Sequence, residues 1–188
     1  MNGSHFNTAT ASGDNYQGTT NIGLTPGSQY VWSVCTFSNP NQTQYGVYVQ
    51  KFMKGTGARQ LTDYGKVVYP VSASSDQHAG ELALVDDGPM FMSYISSNKI
   101  FATRLDGSGN FVWPGDRVEI SSTTSGKGRF GFTPVGPDRC AGTWAENRGE
   151  GFKGYAQGIS VGGLVGLTVA TQGGVPAAIT VNGGTLQM

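Results

Sequence analysis

Two histidines and twelve carboxylates are the residues of this 188-residue chain best suited to moving protons. His5 lies in the polar opening stretch, and His78 closes the stretch Ser74-Ser75-Asp76-Gln77-His78, which reads as a loop. A loop histidine beside an aspartate has the chemistry of a general base or a metal ligand. It is also the ordinary pattern of a solvated loop, and that reading outweighs the functional one. A glycosidase needs two carboxyl groups facing one cleft. Asp86 and Asp87 are adjacent, so extended backbone would send them to opposite sides, and they read better as turn formers. Glu146 and Glu150 flank Arg148 in glycine-rich sequence after Trp144, which reads as an exposed hairpin tip. Asp106-Gly107-Ser108-Gly109-Asn110 begins like a calcium loop but lacks the distal glutamate. No H-E-x-x-H, G-x-S-x-G or Walker-type pattern is present. No residue is therefore assigned a catalytic role, and no cofactor or metal is expected.

Binding is carried by other residue types. Trp32, Tyr94 and Trp144 fall on equivalent strands of the repeat described below, and Arg148 follows Trp144 closely. Exposed aromatic rings stack on sugars, so these four are the candidate binding residues. The competing reading, aromatic packing between neighbouring sheets, is the stronger for the three rings. Cys35 and Cys140 stand 105 residues apart and read as small buried hydrophobes rather than a bonded pair.

The composition narrows the class. Lys and Arg number 12 against 12 Asp and Glu, so the chain is neutral and lacks the basic footprint of a nucleic-acid binder. No apolar run approaches the roughly 20 residues of a membrane span. Glycine contributes 30 residues and charged residues only 13%, a mix that suits strands joined by tight turns. The start Met1-Asn2-Gly3-Ser4-His5 has neither the basic nor the apolar part of an export signal, so any such signal is expected upstream.

Strands must therefore position whatever chemistry exists. Period-2 runs occur at 30–37, 45–52, 66–71, 81–85, 90–95 and 99–105, and no window of ten residues carries a convincing helical period. Tyr48-Val49-Gln50-Lys51-Phe52 matches Phe101-Ala102-Thr103-Arg104-Leu105, 53 positions later, and Tyr155-Ala156-Gln157-Gly158-Ile159, 54 further on. Each has an aromatic first, a polar third and an apolar fifth residue on one strand face. A further strand precedes each: Val31-Trp32-Ser33, Met92-Ser93-Tyr94 and Thr143-Trp144-Ala145. A period near 50 with about four strands is the pattern of a propeller blade, whose two apolar faces need neighbouring blades.

These segments, with Arg104-Leu105-Asp106-Gly107-Ser108-Gly109-Asn110-Phe111-Val112-Trp113, resemble the blade repeats of large secreted bacterial β-propeller proteins, including those exported by the type IX pathway. Asp106 to Trp113 is also similar to an Asp-box turn, with Arg104 where that motif has Ser or Thr. Residues 175–188 resemble the first strands of a Big-2-type Ig-like domain. The expected architecture is all-β: an extended segment over 1–29, two to three four-stranded antiparallel blades of a partial propeller over 30–160, and a linker with an incomplete Ig-like start over 161–188. The resemblance implies an extracellular or bacterial cell-surface setting. The favoured function is a non-enzymatic binding or structural module, presenting blade loops to a glycan, a protein or copies of itself. The alternative is a fragment of a propeller-scaffold carbohydrate-active hydrolase whose catalytic residues lie outside this segment.

Overall fold

The computed structural model describes residues 16–63, 65–73, 77–86, 88–95, 99–149 and 151–166, with side chains from residue 21 onward. Eleven strands form three antiparallel meanders, and the described residues contain no helix. Sheet 1 holds β1 (Tyr16–Gly23), β2 (Tyr30–Ser38), β3 (Tyr45–Met53) and β4 (Lys66–Tyr69) in chain order. Sheet 2 holds β5 (Gln77–Val85), β6 (Gly88–Ile95), β7 (Ile100–Arg104) and β8 (Val118–Ser121). Sheet 3 holds β9 (Lys127–Gly136), β10 (Arg139–Asn147) and β11 (Phe152–Ser160). A bridge from Val165 to Ile159, with Gly166 N–H donating to Gly158 O at 2.9 Å, starts a fourth strand on β11. Residues 161–166 thus fold back on the last sheet. The Ig-like reading of 175–188 lies outside the described residues.

Two expectations need correcting. The sheets begin at Tyr16 rather than at residue 30, because β1 pairs along β2 and belongs to sheet 1. His78 is in strand β5 and not in a loop: it pairs with Tyr94. The polar run before it hid a strand that starts four residues ahead of its apolar part.

Alternation explains the packing. Trp32, Val34, Val47 and Val49 leave one face of sheet 1 and meet Ala79, Leu82, Phe91 and Leu105 of the second repeat. The other face of sheet 2 sends Met90, Met92, Ile100 and Ala102 against Phe132, Cys140, Trp144 and Ile159 of sheet 3. Sheet 2 is therefore covered on both faces. The first strands of successive sheets lie against one another, β1 on β5 and β5 on β9, so the sheets converge radially along their first strands. Gly23 permits that convergence: a Cβ there would stand 2.2 Å from Leu82.

The three repeats occupy the third strand of each sheet. Their polar third residues, Gln50, Thr103 and Gln157, are all buried. Gln50 is anchored: Nε2 donates to Thr62 O at 3.1 Å, and Oε1 accepts from Leu61 N at 3.1 Å. Asp106 builds the turn after β7, its Oδ1 accepting from Ser108 N at 2.9 Å and Asn110 N at 2.8 Å. This turn also ties the sheets together, since Lys51 Nζ donates to Gly107 O at 2.7 Å.

Candidate functional site

The turns from β2 to β3, β8 to β9 and β10 to β11 open at one end of the array. Tyr45 opens β3 there, His78 stands second in β5, and Tyr94 lies opposite His78 on β6. Phe130 follows on β9, in a bulge facing Trp144 of β10, and Trp144 pairs with Tyr155 of β11. The result is a row of rings across all three sheets. Tyr45 and His78 centroids are 4.4 Å apart, His78 and Tyr94 5.1 Å, and Tyr94 and Phe130 4.3 Å. Trp144 and Tyr155 stack at 6.1 Å with planes 17° apart. Such offset stacks contribute about 0.5–1.5 kcal/mol each beyond buried area. Tyr45, His78, Tyr94 and Phe130 are half-buried, their faces partly covered by one another, and the Tyr45 hydroxyl donates to Gln42 O.

The row ends on a charged cluster. Glu146, the second residue of β10 from its C-terminal end and fully buried, accepts from Trp144 Nε1 at 2.9 Å and Arg148 Nη2 at 3.0 Å. Thr123 and Ser125, from the turn before β9, also donate to it, and Lys127 Nζ lies 3.2 Å away. Burial pushes the Glu146 pKa up, but the donors from Arg148, Ser125, Thr123 and Trp144 outweigh it and hold the carboxyl well below the usual range. Arg148 lies with its guanidinium carbon 4.0 Å from the Tyr155 ring centre. A carboxylate this saturated with donors holds loops in place; it is not free to take a proton in a reaction.

The sequence-derived binding residues divide. Tyr94, Trp144 and Arg148 come together at the ring-lined end, whereas Trp32, beside Gly23 and Lys51, lies at the opposite end. The three aromatic residues share equivalent strands but not one register level: Trp32 pairs with Lys51, Tyr94 with Ile100 and Trp144 with Tyr155. Trp32 and Trp144 are 2% and 5% exposed, so neither offers a ring face to a ligand. The reading of Glu146 as part of an exposed tip is also corrected. The strand runs two residues beyond Ala145, where the expected one ended, and alternation turns Glu146 inward beside Trp144. Sequence reasoning weighed His78 only as a loop base or metal ligand and missed Tyr45, Phe130 and Lys127; Tyr155 carried a signal through the repeat.

The other described carboxylates are mostly committed. Glu81 accepts from Asn21, Asp86 from Arg104 at 2.8 Å and Glu119 from Lys99 at 2.7 Å. Asp63 faces Arg59 at 3.9 Å, Asp138 faces Arg139 at 3.4 Å, and Asp106 holds its turn. Among the described residues, no three His, Cys, Asp or Glu side chains gather as a metal would need. No helix of the described residues is long and apolar enough to cross a membrane.

The likeness of the whole array to a solved structure decides the architecture. The structure of Bacteroides ovatus Xyloglucan PUL GH43B is similar to this chain, with a TM-score of 0.50 and 16% identity, over 85% of this chain and 30% of that one. The chain is a partial β-propeller. It spans under a third of the solved protein it matches, and each of its sheets is a blade. At that identity the likeness shows the fold alone. No protein-family model and no curated protein matches the chain.

Proposed function

We propose that this chain is part of a propeller-scaffold carbohydrate-active hydrolase, supplying a sugar-binding wall while the acid–base residues lie outside the segment. The observation that carries the reading is the row Tyr45, His78, Tyr94 and Phe130, which runs through all three blades at one end. A half-exposed row of aromatic rings spanning three blades suits an extended sugar chain, which presents C–H groups and hydroxyls along its length. The fold likeness to a GH43 protein named for xyloglucan adds support for a polysaccharide ligand. A setting outside the cell or on the bacterial surface belongs to the same proposal, since such a polymer is met there. One observation favours a second reading, a binding module without chemistry: almost every described carboxylate is tied to a cation, an amide or its own turn.

Isothermal titration with xyloglucan and arabinoxylan oligosaccharides tests the reading. The chain binds at least one of them, and Tyr94→Ala weakens binding by ~10-fold, the equivalent of one lost ring contact. Release of reducing ends requires sequence beyond this segment. Absence of binding to both classes, or an affinity indifferent to Tyr94→Ala and His78→Ala, would reject it.

A further inference from the structure

The seam between the first and second blades contains a guanidinium that no described carboxylate pairs with. Arg117 precedes β8, and its guanidinium carbon lies 4.0 Å from the Phe101 ring centre and 4.7 Å from that of Tyr69. Phe101 belongs to the second blade and Tyr69 to the first, so the cation joins them through two ring contacts. Ring faces attract a guanidinium, but they leave its N–H donors unanswered. Arg117 forms no ion pair with a described carboxylate, and its Nη1 is buried without a hydrogen-bond partner.

The surrounding polar atoms are in the same condition. Thr103 and Arg117 are the next residues beyond the Ala102–Val118 pair of the β7–β8 ladder, so they stand opposite each other on one face. Thr103 Oγ1 and Tyr69 OH are both buried without partners. Thr103 is 0% exposed. Two unpartnered buried hydroxyls beside a half-buried guanidinium with a buried free N–H are costly, since each polar group has given up water with no hydrogen bond in return.

We infer that Arg117, Thr103 and Tyr69 form a binding site in this seam for a small monovalent anion, of halide or short carboxylate size. The guanidinium supplies charge and an N–H, and the two hydroxyls supply O–H donors, which is what an anion needs and what a cation would refuse. The anion couples the first two blades, because its ligands come from both. The site stands apart from the ring-lined row and does not depend on the function proposed for it.

Thermal unfolding in sodium bromide and sodium acetate, with ionic strength held by sodium gluconate, tests the site. The wild-type Tm rises and saturates with bromide or acetate, as site binding requires. Arg117→Gln abolishes the saturable rise, and Thr103→Val shifts half-saturation by ~10-fold, one hydrogen bond to a charged group. Lys99→Gln, at a solvent-exposed pair, leaves the response unchanged. Bromide anomalous scattering from wild-type crystals needs no variant and places a peak within hydrogen-bond reach of Nη1. A response without saturation that is equal in wild type and Arg117→Gln, or an empty anomalous map at Nη1, overturns the inference in favour of water alone.

Discussion

Lys127 Nζ and Glu146 Oε1 lie 3.2 Å apart with their side chains 2% and 0% exposed, joining the first strand of the third blade to its second. Attraction in such a place is strong only because the pair is complete; either charge alone would be left in a poorly hydrated pocket. Lys127→Met therefore destabilises the chain by about 3–5 kcal/mol, as for other broken buried pairs. Replacing Glu146 as well restores little of that loss, because Trp144 Nε1, Thr123 and Ser125 then lose their acceptor. Urea denaturation of the two single variants and the double variant measures it.

Acid should weaken the fold through two carboxylates. Asp106 is held below the usual range chiefly by the Asn110 backbone N–H, and Glu146 by donors that overcome its burial. With the folded pKa below the unfolded one, the unfolded chain binds more protons in the interval between them, so stability falls as pH falls. The contribution is full above the unfolded carboxylate values, about 3.9 and 4.3, and is lost as pH drops through the folded ones. Glu146→Gln and Asp106→Asn each flatten the decline of Tm below about pH 4.

Within the ring row, shape matters more than the imidazole nitrogens for stability. His78→Phe keeps both stacks and changes stability by less than about 1 kcal/mol, whereas His78→Ala loses contacts to Tyr45 and Tyr94 and costs about 1–3 kcal/mol. Chemical denaturation separates the two variants.

Gly65 tests the backbone geometry behind the first blade. Its φ of +76° disfavours any side chain, and a Cβ would stand 2.1 Å from Val49 O. Gly65→Ala destabilises by about 2 kcal/mol or more, while Gly55→Ala, with nothing within 4 Å, stays within about 0.5 kcal/mol.

The cysteines should be chemically silent in the native state. Both are free and buried, Cys35 on the outer face of the first blade and Cys140 between the second and third. Burial pushes the Cys140 thiol up to about 11 against a smaller opposing effect of Arg104, and burial raises Cys35 as well. Iodoacetamide at pH 8 leaves both unmodified until denaturant is added, when mass rises by two adducts. Rapid native labelling of either would contradict the packing.

Local chemistry alone determined the strands, the turns and the repeat. Glycine-rich turns, β-branched and aromatic alternation, and the Asp106 hydrogen-bonding pattern act over a few residues, so 30–37, 45–52 and 90–95 are legible as strands without coordinates. The same holds for the third strand of each blade, because Gln50, Thr103 and Gln157 repeat as buried polar residues on one face. Tertiary structure decided the rest. His78 reads as a loop residue until pairing with Tyr94 draws it into β5, and Glu146 reads as solvated until Thr123, Ser125 and Lys127 arrive from another strand. Which rings meet across three blades depends on the register within each sheet and on how the sheets pack face to face. Those contacts join residues tens of positions apart, where packing between sheets, rather than the preference of any short stretch, sets the geometry.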